Sequence, residues 1–294
     1  MTQLLSTYLT NKKQWIEEKL PIYIETMEAP EIIKESMIYS LKAGGKRIRP
    51  ILLFATINAF GKPEESGLDV ACALEMIHTY SLIHDDLPSM DDDDLRRGKP
   101  TNHKVYGEAI AILAGDGLLT HSFEVIANSK ALSDSLKVKV IAMLAHAAGP
   151  SGMVGGQVAD LLGENKLLTV PELEYIHEHK TGKLLRFAIV AGAVIAGATD
   201  EQQQCLDAFA KHLGLAFQIK DDILDIEGSV EQIGKPVGSD EGKAKSTYPK
   251  LLTVEGAKEK CNDHLKQAKM WLEKANVNQD LLLEIADYIV NRNH

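Results

Sequence analysis

"LDVACALEMIHTYSLIHDD", residues 68–86, reads as a helix whose apolar positions Leu74, Ile77 and Leu82 turn it inward, and it ends on two adjacent aspartates. "LPSMDDDDLRRG", 87–98, follows at once with four more aspartates and two arginines. Such a run is either a solvated acidic bend or a site for something cationic. Pro88 removes a backbone donor and bends or ends the helix. On a straight helix Asp91 would point about 240° away from Asp85, so it needs that bend to return. Asp92, seven positions on, aligns only if the helix stays straight, and spacing leaves both open.

The same 3.6-residue period recurs through the chain. Helices are expected over 3–27, 31–42, 48–60, 67–90, 105–128, 132–148, 152–162, 171–198, 200–226, 248–274 and 280–292. Breakers separate them: "GKPEES" at 61–66, "RRGKPTN" at 96–102, "GPSG" at 149–152 and "GENK" at 163–166. The span 228–247 is polar and Gly-rich, carries Lys235, Lys243 and Lys245, and has little to bury, which reads as a functional lid or a disordered segment. No strand series, internal linker or solenoid repeat interrupts the pattern, so the expectation is one all-α domain over 1–294.

With 294 residues, 45% of them hydrophobic and 25% charged, the chain can bury a substantial core. Its formal charge of −10 argues against a general nucleic-acid binder, which needs a basic face, but leaves room for local basic clusters. Cys72, Cys205 and Cys261 form no disulfide or zinc spacing, as in a reducing compartment. The N-terminus lacks a signal-peptide pattern. The apolar stretch 187–198, "FAIVAGAVIAGA", is too short for a membrane span. A soluble cytoplasmic protein is expected.

A second acidic set lies in "FQIKDDILD", 217–225. Asp221 and Asp225 are four apart and share a face of another apolar helix, where their repulsion rises with desolvation. A solvated acidic face explains one such pair; two clusters on apolar helices in one chain are harder to dismiss. Oxygen-only ligands without Cys or His favour Mg²⁺ over zinc. Mg²⁺ keeps few protein ligands and binds substrate phosphate at the same time, and cations for that phosphate are present. "KAGGKRIRP", 42–50, offers Lys46, Arg47 and Arg49, Arg96 and Arg97 follow the acidic run, and Lys180 sits in "HKTGK". Each alone reads as a surface cation; their pairing with two acidic motifs is informative. His78, seven residues before Asp85, shares its face and suits either a core or a phosphate-binding role. Thr181–Gly182 interrupts an apolar helix, where a kink can expose a carbonyl dipole to a positive charge. Gly155–Gly156 allows close backbone approach or plain helix packing.

Together these motifs resemble the trans-prenyltransferases, or short-chain isoprenyl diphosphate synthases. The resemblance runs from "GGKRIRP" through "HxxxxxxDDxxxxDxxxxRRG", "GDG", "GGQ", "HKTGK" and "FQIKDDILD" to the lysine loop. It implies an all-α bundle around a deep central cavity, a homodimer and three Mg²⁺ ions. By motif, Asp85, Asp86 and Asp91 form the first metal set, which favours Asp91 over Asp92, and Asp221, Asp222 and Asp225 the second. Lys46, Arg49, His78 and Arg97 match the residues on isopentenyl diphosphate. Arg96, Lys180, Lys235 and Lys245 match those on the allylic diphosphate, and Thr181 and Gln218 those facing the carbocation. Tyr80, about 7.5 Å deeper along the helix than Asp85, with Ser81 beside it and the two extra residues including Pro88, resembles the bacterial branch that stops at the fifteen-carbon farnesyl product. A twenty-carbon (geranylgeranyl) synthase and a class I terpene cyclase are the rival enzymes. The cyclase needs neither the paired second motif nor the "GGKRIRP" site. A non-catalytic partner subunit would have eroded acidic motifs, and an ion buffer would need no twin arginines.

Overall fold

Apolar residues repeating every three to four positions wind the chain into helices in this computed structural model, which describes residues 2–227 and 246–292. In chain order they are α1 (Gln3–Glu25), α2 (Glu31–Leu41), α3 (Ile48–Ala59), α4 (Leu68–Asp85), α5 (Asn102–Tyr106), α6 (Glu108–Ala127), α7 (Asp134–Ala148), α8 (Met153–Gly163), α9 (Val170–Ile176), α10 (Lys183–Ile195), α11 (Asp200–Glu227), α12 (Tyr248–Lys274) and α13 (Asp280–Asn291). The fold class is all-α, as the period implies.

Three expected boundaries move, each for a local reason. The helix expected over 67–90 stops at Asp85, because Pro88 cannot continue it. The run expected over 171–198 is divided by a π-helical stretch, His177–Gly182, between α9 and α10. Residues expected to be only a breaker, 96–102, include a hairpin of β1 (Leu95–Arg96) and β2 (Lys99–Pro100), antiparallel with Arg96 opposite Lys99. Its two central residues, Arg97 (φ 54°) and Gly98 (φ 75°), are both left-handed, as a two-residue type I′ turn requires. Lys235, Lys243 and Lys245 lie outside the described residues.

The described chain groups into two compact units. In the unit of residues 2–54 and 65–141, α4 is buried from Val70 to Tyr80 except at His78, and packs on α6. Trp15 stacks on Phe54 with ring centroids 4.9 Å apart. Asn102 joins the end of the hairpin to α2, accepting from the Ser36 hydroxyl at 2.8 Å and donating to Ser40 Oγ at 2.8 Å. Helix α6, rather than 187–198, is the stretch long and apolar enough to cross a membrane, a test that core helices of soluble proteins also pass.

In the unit of residues 55–64 and 142–292, α11 pairs along its length with α12, and Leu173, Ala216, Ile219, Ile223, Tyr248, Ala257, Cys261 and Val290 form a core between their flanks. Helix α12 is broken at Thr253, whose φ is 70°. Farther along the α11–α12 seam His212 Nδ1 lies 2.9 Å from His264 Nδ1, a contact that accepts only one proton between them. All three cysteines are free thiols.

Burial, then the neighbouring His212 and Lys260, lower His264 to about 4, against opposing pulls from Glu174 and Asp263. Between about 4 and its ordinary 6.5 the unfolded imidazole binds a proton that the folded one refuses, so stability rises with pH across that window. Urea midpoints at pH 5 and 7 should therefore differ in the native chain, and His264→Asn should flatten that difference.

Candidate active site

The turn after α4 brings the first acidic cluster together. Asp91 N–H donates to the Asp85 carbonyl at 2.8 Å and Asp92 N–H to Leu87 O at 3.1 Å. Pro88 thus returns Asp91 to Asp85, while Asp92 takes the left-handed φ of 50° and stays exposed. Asp86 is only 3% exposed. Arg96 reaches it from the hairpin, with Nε at 2.7 and 2.9 Å from its two oxygens and Nη2 at 2.6 Å from Oδ1. Even so, burial holds the Asp86 pKa above its ordinary value, against the lowering pull of Arg96. A buried carboxylate still short of positive charge, beside Asp85 and Asp91, is a donor set of hard oxygens that suits Mg²⁺.

Cations gather on the other side of His78. Burial first, and then the charges of Arg49, Arg97, Arg47 and Arg96, drive the His78 pKa well below its ordinary value. Four guanidiniums around one neutral imidazole form an anion cradle. Arg47 is the structural member: its Nη1 donates to Glu75 at 2.6 Å, its Nη2 to Leu41 O at 2.5 Å, and the pair is 1% and 3% exposed. Removing one partner of such a pair costs about 3–5 kcal/mol. Exposed Lys46 precedes it on the loop, and Arg49 follows in the first turn of α3. Arg97 lies over that loop and donates to the Gly44 carbonyl. The φ of 128° at Gly45 favours glycine, and a Cβ there would also push the Arg97 guanidinium aside, its Nη1 being 2.6 Å away. Behind the acidic turn, Tyr80 is 6% exposed, and burial with the Asp85 charge pushes its hydroxyl up to about 12. The Ser81 hydroxyl is turned back onto the His78 carbonyl at 2.9 Å.

The second unit carries the other acidic motif on α11. Asp222 and Asp225 are buried, at 6% and 9% exposure, and Asp222 Oδ2 accepts from Tyr248 N–H at 3.0 Å. Asp221 is more open and pairs with Arg292, whose guanidinium lies 4.1 Å from the centre of the Phe217 ring. One turn before Asp222, Gln218 Nε2 is 3.1 Å from His177 Nδ1 on the π-helical stretch. His177 stacks on Tyr248, and its Nε2 is 3.8 Å from Asp222 Oδ2. Burial lowers His177 to about 4. It is neutral at pH 7, and the nearby carboxylate favours the proton on Nε2. Nδ1 then accepts from the Gln218 amide, which leaves the Gln218 carbonyl oxygen available to a positive charge.

The same π-helical stretch holds Lys180 and Thr181. A glycine pins it on one side: a Cβ on Gly156 would stand 2.1 Å from Lys180 N, while one on Gly214 would make only ordinary contact, 3.4 Å from Gly182 Cα. Close approach, one of the two readings of the Gly155–Gly156 pair, is thus what Gly156 provides. Lys180 Nζ donates to Asp160 Oδ2 at 2.7 Å. Asp160, His177 and Tyr248 escaped the sequence reading. Asp160 stands three residues after "GGQ" and His177 two residues before "HKTGK", so their signal was proximity to glycines and to a helix interruption. Among the described residues no three of His, Cys, Asp or Glu gather into a ready-made cage.

Comparison with known proteins shows what the whole chain is similar to. The family model described as polyprenyl synthetase matches residues 30–288. The chain is 58% identical over 297 residues to the farnesyl diphosphate synthase of Geobacillus stearothermophilus, covering 100% of both. It is 55% identical over 296 residues to that of Bacillus subtilis (strain 168), again covering 100% of both. The apo crystal structure of an FPP/GFPP synthase from Zymomonas mobilis superposes with a TM-score of 0.87 at 36% identity, covering 99% of this chain and 100% of that one. Geranylgeranyl diphosphate synthases match at lower identity.

Because Gly156 meets backbone rather than a flexible side-chain tip, Gly156→Ala should overpack the π-helical contact and destabilise the protein by about 1–3 kcal/mol. Calorimetry should show a lowered Tm, with a larger fall for Gly156→Val.

Proposed function

The chain belongs to the polyprenyl synthetase family, and from that membership we propose that it condenses isopentenyl diphosphate head-to-tail with dimethylallyl and then geranyl diphosphate to make farnesyl diphosphate. Full-length similarity to farnesyl diphosphate synthases at 58% and 55% identity carries the assignment. The arginine cradle around His78, beside an acidic turn short of positive charge, supplies its chemistry.

Asp85, Asp86 and Asp91, with Asp221, Asp222 and Asp225, are the residues that would hold Mg²⁺, three ions by family resemblance. When bound, Mg²⁺ supplies the positive charge that stabilises departing pyrophosphate. The chain's own groups do the rest. Lys46, Arg49, His78 and Arg97 bind isopentenyl diphosphate; His78, kept neutral, contributes a ring N–H rather than a charge. Arg96 and Lys180, with Lys235 and Lys245 from outside the described residues, bind the allylic diphosphate. As its C–O bond ionises, Thr181 and the carbonyl of Gln218 face the cation, and the positioned double bond of isopentenyl diphosphate attacks it. The proton is then lost to a pyrophosphate oxygen, so no dedicated protein base is needed. Water is excluded from this step because it would quench the cation.

Tyr80 is the floor that stops growth at fifteen carbons, supported by its bulk, its burial and its place one turn and a half below Asp85. Both units act as one catalytic domain. The enzyme is a soluble cytoplasmic homodimer, with a second copy covering α6, whose Ile112 and Leu113 are 42% and 54% exposed.

Incubation with Mg²⁺, dimethylallyl and isopentenyl diphosphates, followed by chromatography of the hydrolysed products, tests the assignment. Farnesol should dominate; a twenty-carbon or cyclised product would overturn it. Asp85→Asn and Asp221→Asn should each lower kcat by about 10²–10³ with unchanged helical circular dichroism. Tyr80→Ala should lengthen the product.

A further inference from the structure

The "GDG" sequence of α6, residues 115–117, has no part in the chemistry above, yet its first glycine meets α4 beside the acidic turn. A Cβ on Gly115 would stand 2.2 Å from His84 Nε2 and 2.5 Å from His84 Cδ2. A side chain there would have to push the imidazole aside, so the α6 backbone lies close against the ring. His84 Nε2–H donates to the Ile112 carbonyl of the same helix at 3.1 Å, and Asp116 Oδ1 is 3.9 Å away. One turn back on α4, the ring of Tyr80 meets His84 edge to face, with centroids 5.7 Å apart and planes at 78°. His84 is therefore clamped by α6 and in turn braces the ring of Tyr80.

We propose that His84, seated on Gly115, is the positioning residue that fixes the Tyr80 ring and so sets where chain growth stops. This rests on the reading of Tyr80 as the floor. A tyrosine side chain has several staggered orientations, and neighbours select among them. An edge-to-face partner favours the one orientation that presents its ring edge or face correctly. Without the brace the ring populates other orientations, and those that move it aside admit a longer hydrocarbon tail. Product length then follows the population of the braced orientation rather than the presence of the tyrosine alone.

The experiment compares hydrolysed products from geranyl and isopentenyl diphosphates for the native enzyme, Tyr80→Ala, His84→Ala, His84→Phe and Gly115→Ala. His84→Ala should raise the ratio of twenty- to fifteen-carbon product about threefold to tenfold, the factor an aromatic edge contact corresponds to, with KM for isopentenyl diphosphate unchanged. Gly115→Ala should shift the ratio the same way, because its Cβ displaces the imidazole. His84→Phe restores a ring beside Tyr80 and should return the ratio toward native. If Tyr80→Ala lengthens the product but His84→Ala keeps the native ratio, whatever happens to turnover, the brace is refuted while the floor stands. A native ratio in Tyr80→Ala removes the floor and the brace together. Should His84→Ala fail to fold, Gly115→Ala decides, and a native ratio there overturns the proposal.

Discussion

Carboxylates desolvated at the ends of apolar helices are the constraint around which the other features are arranged. Asp86 is buried on a turn whose helix has an apolar body, and Asp222 and Asp225 are buried along α11. Taking a carboxylate out of water costs several kcal/mol unless charge and hydrogen bonds replace the lost hydration. Each buried aspartate therefore has a dedicated device nearby. For Asp86 it is the Arg96 fork on a hairpin, and for Asp222 the Tyr248 backbone N–H. The Arg96 fork does not satisfy Asp86 fully, since burial still holds its pKa above the ordinary value. The fold keeps that acid in its interior and short of positive charge at the same time.

Backbone geometry, more than side-chain identity, delivers the partners. The type I′ turn at Arg97–Gly98 puts two consecutive arginines to different uses: Arg96 lies on Asp86 and Arg97 over the glycine loop. Left-handed Gly44 and Gly45 leave room for that second guanidinium. The π-helical stretch has the same purpose in the other unit. The widened turn carries His177, Lys180 and Thr181 together, and Gly156 lets α8 press against it.

Much of this was legible in the sequence because helical periodicity is a short-range signal. Most helix spans, a bend at Pro88 and an interruption near Thr181–Gly182 follow from residues a few positions apart, while the choice between Asp91 and Asp92 does not. What escaped depends on long-range contact. Nothing near Arg47 tells that it would turn inward to Glu75, 28 residues away, while Arg49 stays in the cradle. Asp160 faces Lys180 across 20 residues, and His177 meets Tyr248 across 71, pairings that only the packed unit defines. The hairpin at 95–100 is too short for period-two alternation to register, and its signal was the Arg97–Gly98 turn alone.

Burial then sorts the cations by what they can do. The Arg47–Glu75 pair, at 1% and 3% exposure, is sealed, and exchanging its partner for a substrate phosphate would strand a buried charge. Arg96 and Lys180 also hold internal carboxylates, but their side chains are 21% and 25% exposed. Those pairs can open with less loss, because water screens the separated charges. An internal partner keeps each side chain extended toward its acid, so less conformational entropy remains to be lost when an anion arrives. The opposing cost is that the anion must outcompete the resident carboxylate. A diphosphate carries more charge than one carboxylate, so the exchange at either cation favours it. A neutral alcohol gains nothing from the same exchange and a monophosphate gains less, and that difference separates a diphosphate from its hydrolysed forms.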